Sequence, residues 1–156
     1  MRDEWVIDGY NLLHWLENSH PKKSPVSREK LLQMLADFAS LSASQVTVVL
    51  DGVGSEAEFG AFESAQMKVF YSKSATADTF IEKYVYDNYL KSKLVVVTQD
   101  TALTRMVRGK GVSVMKPESF VSEMKEYRGD AENILWEKKA DQHGFNRPFD
   151  KKLKKS

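Results

Sequence analysis

Four aspartates stand where apolar segments end, and together they define a chemistry. "WVID" (5–8) closes on Asp8 and "VTVVLD" (46–51) closes on Asp51, each followed by glycine. "SKSATAD" leads into a helical stretch whose first turn holds Asp78, and "VVVTQD" runs through Thr98 to Asp100. Glu82 follows Asp78 by four residues, so on a helix it shares that face and joins the group. Carboxylates that converge on one rim repel one another, and some must take up protons unless a cation sits among them. Oxygen donors with no His or Cys nearby suit a hard ion, Mg²⁺ or Mn²⁺. Taken singly, each acid also has a purely structural use. Asp100 before "TALTRM" makes a good helix N-cap, Asp78 sits where a helix dipole favours negative charge, and Asp-Gly at 8–9 and 51–52 suits a turn. It is the set of four that favours a metal site.

The elements that must position these acids follow from the hydrophobic pattern. Val-rich runs at 5–8, 46–51, 67–71, 94–98 and 112–115 read as strands, and the two richest barely alternate, as expected of strands covered on both faces. Between them lie segments of helical period. "SREKLLQMLADFASL" (27–41) aligns Leu31, Leu32, Leu35, Phe38 and Ala39 behind an N-cap at Ser27. Residues 76–90 carry Phe80, Ile81, Tyr84, Val85 and Tyr89, with Tyr84 inward and Tyr86 outward. A short helix over 101–109 is expected to close at Gly109, another opens at Pro117 and runs to 127, and helix resumes over 130–141.

Strands alternating with helices imply parallel βαβ units, hence a doubly wound α/β fold. In such sheets functional groups gather beyond the carboxyl ends of the strands, where the strand order switches. Asp8 then sits on a rigid strand end where it can hold metal. Gly9 lets the chain turn sharply beside it, and Asn11 caps the next helix or hydrogen-bonds a metal-bound water. His14 and Trp15 read as local packing.

A chain of 156 residues, 42% hydrophobic and 29% charged, suits one compact domain. The absence of cysteine excludes disulfides, thiolate metal ligands and a cysteine nucleophile, and fits a reducing compartment. The start "MRDEWVIDGY" has no apolar h-region, and no run approaches the ~20 apolar residues of a membrane span, so a cytoplasmic protein is expected. The net charge of +1 conceals a basic end and an acidic stretch, "DGVGSEAEFGAFES" (51–64). The expected division is a catalytic domain over 1–141 and a basic tail over 142–156. Arg105, Arg108, Lys110 and Lys116 are candidates to flank the rim and meet phosphates. In the tail, Phe145, Arg147 and Phe149 lie among lysines, a pattern that serves base stacking and phosphate contact or simply a solvated segment.

"VIDGYNLL", "VVLDG", "TADTFIEKYV" and "VVVTQDTAL", in that order, resemble the YacP-like branch of the NYN domains, a group within the PIN-like nucleases. The resemblance covers roughly residues 4 to 127. It implies a PIN-like three-layer α/β/α sandwich with a mainly parallel sheet of about five strands. It also implies a divalent-metal acidic site and cleavage of RNA, with single-stranded messenger RNA on the ribosome as the substrate of the best-studied branch. Matched motif by motif, Asp8 and Asp78 become the primary metal-site acids. Asp51 and Asp100 are further members, while Asn11, Thr76 and Glu82 form a second tier.

The reaction expected is metal-assisted phosphodiester hydrolysis, leaving 5′-phosphate and 3′-hydroxyl ends, with no nucleophilic side chain required. Two other classes remain open from sequence. A receiver-like phospho-acceptor domain also has an acidic Mg²⁺ pocket, and Lys116-Pro117 after the fifth strand suits it, although strand one carries a single acid. A catalytically silent RNA- or ribosome-binding adaptor would keep the fold without the chemistry. An Asp-nucleophile phosphatase fits poorly, because "DGYN" lacks a second Asp two residues on.

Overall fold

The computed structural model describes residues 3–19, 26–54 and 60–127. Strand β1 (Asp3–Asp8) runs straight into helix α1 (Gly9–Ser19), and α2 (Arg28–Ser42) leads to β2 (Gln45–Leu50). A 3₁₀ turn (Gly60–Phe62) precedes β3 (Met67–Tyr71). Helix α3 (Ala77–Asn88), β4 (Lys93–Val97), α4 (Thr101–Gly109) and β5 (Ser113–Met115) follow, and a last helix, α5, covers 117–127. All strand pairings are parallel, in the order β3-β2-β1-β4-β5.

That order excludes the receiver reading. Receiver-type doubly wound sheets run 2-1-3-4-5, so their switch lies between strands one and three. Here the chain winds outward from β1 through β2 to β3, then returns across the sheet to β4, and the switch lies between β1 and β4.

Both faces of the sheet are covered, which explains the unbroken apolar runs. On one face Ile7, Val48 and Val69 pack with Leu12, Leu32, Leu35 and Phe38 of α1 and α2, and with Phe120 and Met124 of α5. Edge-on contacts join Trp5 to Phe38 and Phe38 to Phe120, with ring centroids 5.6 and 5.2 Å apart. On the other face Val6, Val49 and Val96 meet Ile81 and Val85 of α3 and Leu103 and Val107 of α4. The fold is therefore the three-layer α/β/α sandwich expected. Each fully buried branched side chain contributes roughly 1.5–3 kcal/mol, enough for this core to hold the strand ends in fixed positions.

Local chemistry sets the boundaries. Ser27 caps α2 by accepting from the Lys30 amide, as its position suggested. Helix α3 ends at Asn88, so Leu90 lies beyond it and is exposed. Helix α4 ends at Gly109, as its spacing suggested, but Gly109 is not itself left-handed. The residue in the left-handed region is Gly111 (φ 78°), whose N–H donates to the Arg108 carbonyl, and glycine adopts that conformation without strain. Residues 130–141, the tail from 142 and Arg147 lie outside the described residues. Among the described residues no helix is long and apolar enough to cross a membrane.

Candidate active site

The carboxyl ends of β1, β2 and β4 meet the N-termini of α1, α3 and α4 at one rim. Alternation along β1 puts Glu4, Val6 and Asp8 on the face covered by α3 and α4, and the extended chain leaving β2 carries Asp51 toward the same face. Asp8 lies at the strand end and is only 2% exposed. Its Oδ1 accepts from the Asn11 amide at 3.2 Å, so Asp8 itself caps α1. Asp51 Oδ1 accepts from the Ala77 amide at 2.9 Å, at the first residue of α3, and Asp100 Oδ1 accepts from Leu103 at 2.6 Å as the N-cap of α4. Asp78 lies in the first turn of α3. Three helix N-termini thus turn their partial positive charge toward four carboxylates.

That compensation is incomplete. Burial pushes the Asp8 carboxyl up to about 7; the Asn11 hydrogen bond opposes the shift, while the charges of Asp78, Asp51 and Asp100 add to it. Asp78 is also raised, first by its partial burial and then by Asp100, with which it shares a hydrogen bond, and by Asp51 and Glu82. The charges of Asp51, Asp78 and Asp100 thus reach Asp8, those of Asp51 and Asp100 reach Asp78, and Glu82, on an exposed face of α3, adds to Asp78. The carboxylates ring the rim without forming a closed cage. Among the described residues no three His, Asp or Glu are drawn together tightly enough to hold an ion as they stand. Asp8 and Asp51 each commit one oxygen to a backbone amide, and the second takes no hydrogen bond from a described residue. An all-oxygen donor set, one member of it nearly fully buried and held above its ordinary range, fits a hard divalent cation in the place of the proton.

Over residues 5–156 the chain matches the YacP-like NYN domain. It belongs to that family. Two solved structures of Rae1 (YacP) from Bacillus subtilis share the fold of this NYN domain. One is 22% identical with a TM-score of 0.69, over 91% of this chain and 84% of that one. The other, of a Rae1 mutant, is 23% identical with a TM-score of 0.67, over 88% and 84%. A more distant likeness is to the T5 5′-exonuclease solved with divalent zinc ions bound, 14% identical with a TM-score of 0.52 over 74% of this chain and 55% of that one. No curated protein sequence matches the chain. At such identities the structural likeness is one of fold, and the fold is PIN-like.

The other residues singled out from sequence divide by position. Asn11 does not cap α1 in this NYN domain. Its Oδ1 accepts from the Gln99 amide at 2.7 Å and lies 3.5 Å from the Thr98 hydroxyl, which ties the end of β1 to the end of β4 across the switch point. Gly9 is helical and makes no left-handed turn. It is needed for close packing, because a Cβ there would lie 2.6 Å from Leu50 Cδ2 and 3.0 Å from the Val49 carbonyl oxygen. Thr76 is exposed and caps α3, accepting from the Thr79 amide at 3.2 Å. Lys116 follows β5 and is exposed at the rim. Arg105 and Arg108 are exposed on α4, but that helix runs away from the rim, and Arg108 in its last turn lies roughly 12 Å of helix rise beyond Asp100. Lys110 is further still, with its ammonium 5.0 Å from the Tyr86 ring centroid at the far end of α3.

Sequence reasoning missed several contributors. Arg28, the first residue of α2, reaches the rim and donates to the Asp51 carbonyl at 3.2 Å. The N-cap at Ser27 was the available signal, since a crossover helix starts at the carboxyl edge of the sheet. Lys73 occupies the β3–α3 loop with φ 58° and donates its N–H to the Gly52 carbonyl. Thr98 and Ser72 are buried hydroxyls that accept from the Asp100 and Gly52 amides and so shape the loops carrying the acids.

Proposed function

We propose that this chain is a metal-dependent endoribonuclease that hydrolyses RNA phosphodiesters with Mg²⁺ or Mn²⁺. The observation that carries the reading is the buried Asp8 carboxyl, held near 7 beside Asp51, Asp78 and Asp100 at the switch point of a PIN-like sheet. Asp8 and Asp78 would be the principal ligands, with Asp51 and Asp100 completing the donor set and Glu82 further out. The chemistry supplied by a bound divalent ion is activation of a water and neutralisation of the charge that builds on the phosphate. The chain's own groups do the rest. Amides of α1, α3 and α4 fix one oxygen on each of three carboxylates, and the Asn11 bridge keeps the β1 and β4 ends in register. Arg28, Lys73 and Lys116 offer positive charge along the same rim, which draws the phosphate backbone of a single strand toward the acids. The family resemblance extends the proposal to single-stranded messenger RNA as substrate, ribosomes as the setting and the cytoplasm as the compartment. The basic tail with Arg147 is proposed as an additional RNA contact.

The test is cleavage of a single-stranded RNA in Mn²⁺, Mg²⁺ or EDTA by the wild-type protein and by Asp8→Asn. Cleavage only with metal, yielding 5′-phosphate and 3′-hydroxyl ends, and loss of at least about 100-fold in Asp8→Asn are expected. An RNA that is bound but stays intact under every condition makes the chain an adaptor. Undiminished cleavage by Asp8→Asn refutes the assignment.

A further inference from the structure

Beside the acidic rim, α1 presents two aromatic rings to solvent. Tyr10, two residues after Asp8, is 56% exposed, and His14 one turn on is also exposed. Their rings lie nearly parallel, with planes 12° apart and centroids 5.8 Å apart, an offset stack. The imidazole is held from its other side, where His14 Nε2 and Asn18 Nδ2 lie 3.0 Å apart. The opposite face of α1 sends Leu12 and Leu16 into the core, so the helix cannot rotate to hide the aromatics. Side chains on a helix lean toward its N-terminus, which for α1 means toward the rim.

We infer that the Tyr10–His14 stack is a platform on which a nucleobase of the RNA strand stacks while a neighbouring phosphate lies at the acids. The inference rests on the endoribonuclease reading for its ligand. Flat rings in water attract the π-faces of bases without regard to sequence, and alanine substitution at such positions weakens binding by roughly 5- to 150-fold. An exposed tyrosine alone would not single out this spot, since Tyr86 is 65% exposed. Tyr86 sits at the far end of α3 beneath Lys110, whereas Tyr10 adjoins the carboxylates and is already aligned against a second ring.

The test uses a short single-stranded RNA carrying 2-aminopurine, whose fluorescence is quenched by stacking, titrated with the non-cleaving Asp8→Asn protein in Mg²⁺. In that background Tyr10→Ala should lose the quenching and weaken binding by roughly 5- to 150-fold. Tyr10→Phe and Tyr10→Trp should retain both, and Tyr86→Ala should change neither. In the cleaving protein, Tyr10→Ala should raise KM more than it lowers kcat. Unchanged binding and quenching in Tyr10→Ala overturn the platform, as does an equal loss in Tyr10→Phe, which would implicate the hydroxyl, or in Tyr86→Ala. Because binding is read without cleavage, a chain that stacks RNA but never cuts it refutes the nuclease reading and leaves the platform standing. A chain that cuts RNA with Tyr10→Ala unaffected does the reverse.

Discussion

Replacing Asp8 by Asn should make the metal-free protein more stable at neutral pH. Asn keeps the shape and the Oδ1 that accepts from the Asn11 amide, and removes only the charge. A carboxyl raised from 3.8 to about 7 by folding binds its proton more tightly in the native state than in the unfolded one. Its contribution to stability is full below about 4, falls as pH rises toward 7, and is flat above that. At 1.36 kcal/mol per pKa unit, the loss amounts to roughly 4 kcal/mol, a large share of a typical domain's stability. Urea unfolding in EDTA, followed by tryptophan fluorescence, to which Trp5 contributes from the core, measures it. Wild type should lose up to about 4 kcal/mol between pH 4 and pH 8 relative to Asp8→Asn, the two converging at the acid end. Adding Mg²⁺ or Mn²⁺ at 100 times its dissociation constant should restore about 2.7 kcal/mol to wild type at pH 8 and much less to the variant. If Asp8→Asn is instead the less stable protein at pH 8 in EDTA, the carboxylate is satisfied without a cation and the electrostatic account of the rim fails.

Two further changes probe how the rim is held. Gly9→Ala places a methyl 2.6 Å from Leu50 Cδ2 and 3.0 Å from backbone, so it should destabilise by about 1–3 kcal/mol through overpacking, read as a lower urea midpoint with an unchanged m-value. Asn11→Ala removes the acceptor for the Gln99 amide and should cost about 1–2 kcal/mol, with hydrogen exchange at 98–100 accelerating more than in the core of β2.

The strands and most helices were legible because each must bury a face, and the period of that face is written in the residues. Leu31, Leu32, Leu35 and Phe38 mark α2 whatever lies opposite them, and Ser27 marks its start. Strand order was not legible, since β3-β2-β1-β4-β5 and the receiver order can be built from the same alternation of strands and helices. Only the return of α3 across β2 and β1 distinguishes them, and that is a property of the whole sheet. The capping use expected of Asn11 fails for the same reason. Local spacing makes it a cap, but its partner is Gln99, 88 residues away. Gly109 does end α4, but that the left-handed turn falls two residues later at Gly111 depended on where the helix stops packing, with Val107 buried and Arg108 exposed. Helical period showed which faces of α4 are polar, but not that its C-terminus, with Arg108 and Lys110, points away from the acids.

Capping and metal binding looked like competing uses for each aspartate, yet a carboxylate has two oxygens. Asp8, Asp51 and Asp100 each give one to a helix amide. That bond removes rotational freedom from the side chain and sets part of a helix dipole against its charge, so the acids can be assembled before any cation arrives. Full compensation would have left Asp8 with an ordinary carboxylate pKa, and the rim would have gained nothing by binding an ion. Burial and the neighbouring acids prevent that, holding Asp8 near 7, where a proton and a divalent cation compete for the same position. Metal affinity should therefore rise with pH up to about 7 and then level off. Titration calorimetry with Mn²⁺ at pH 6 and pH 8 should find tighter binding and less proton release at the higher pH, and equal affinity at both would break the link between the buried carboxyl and the ion.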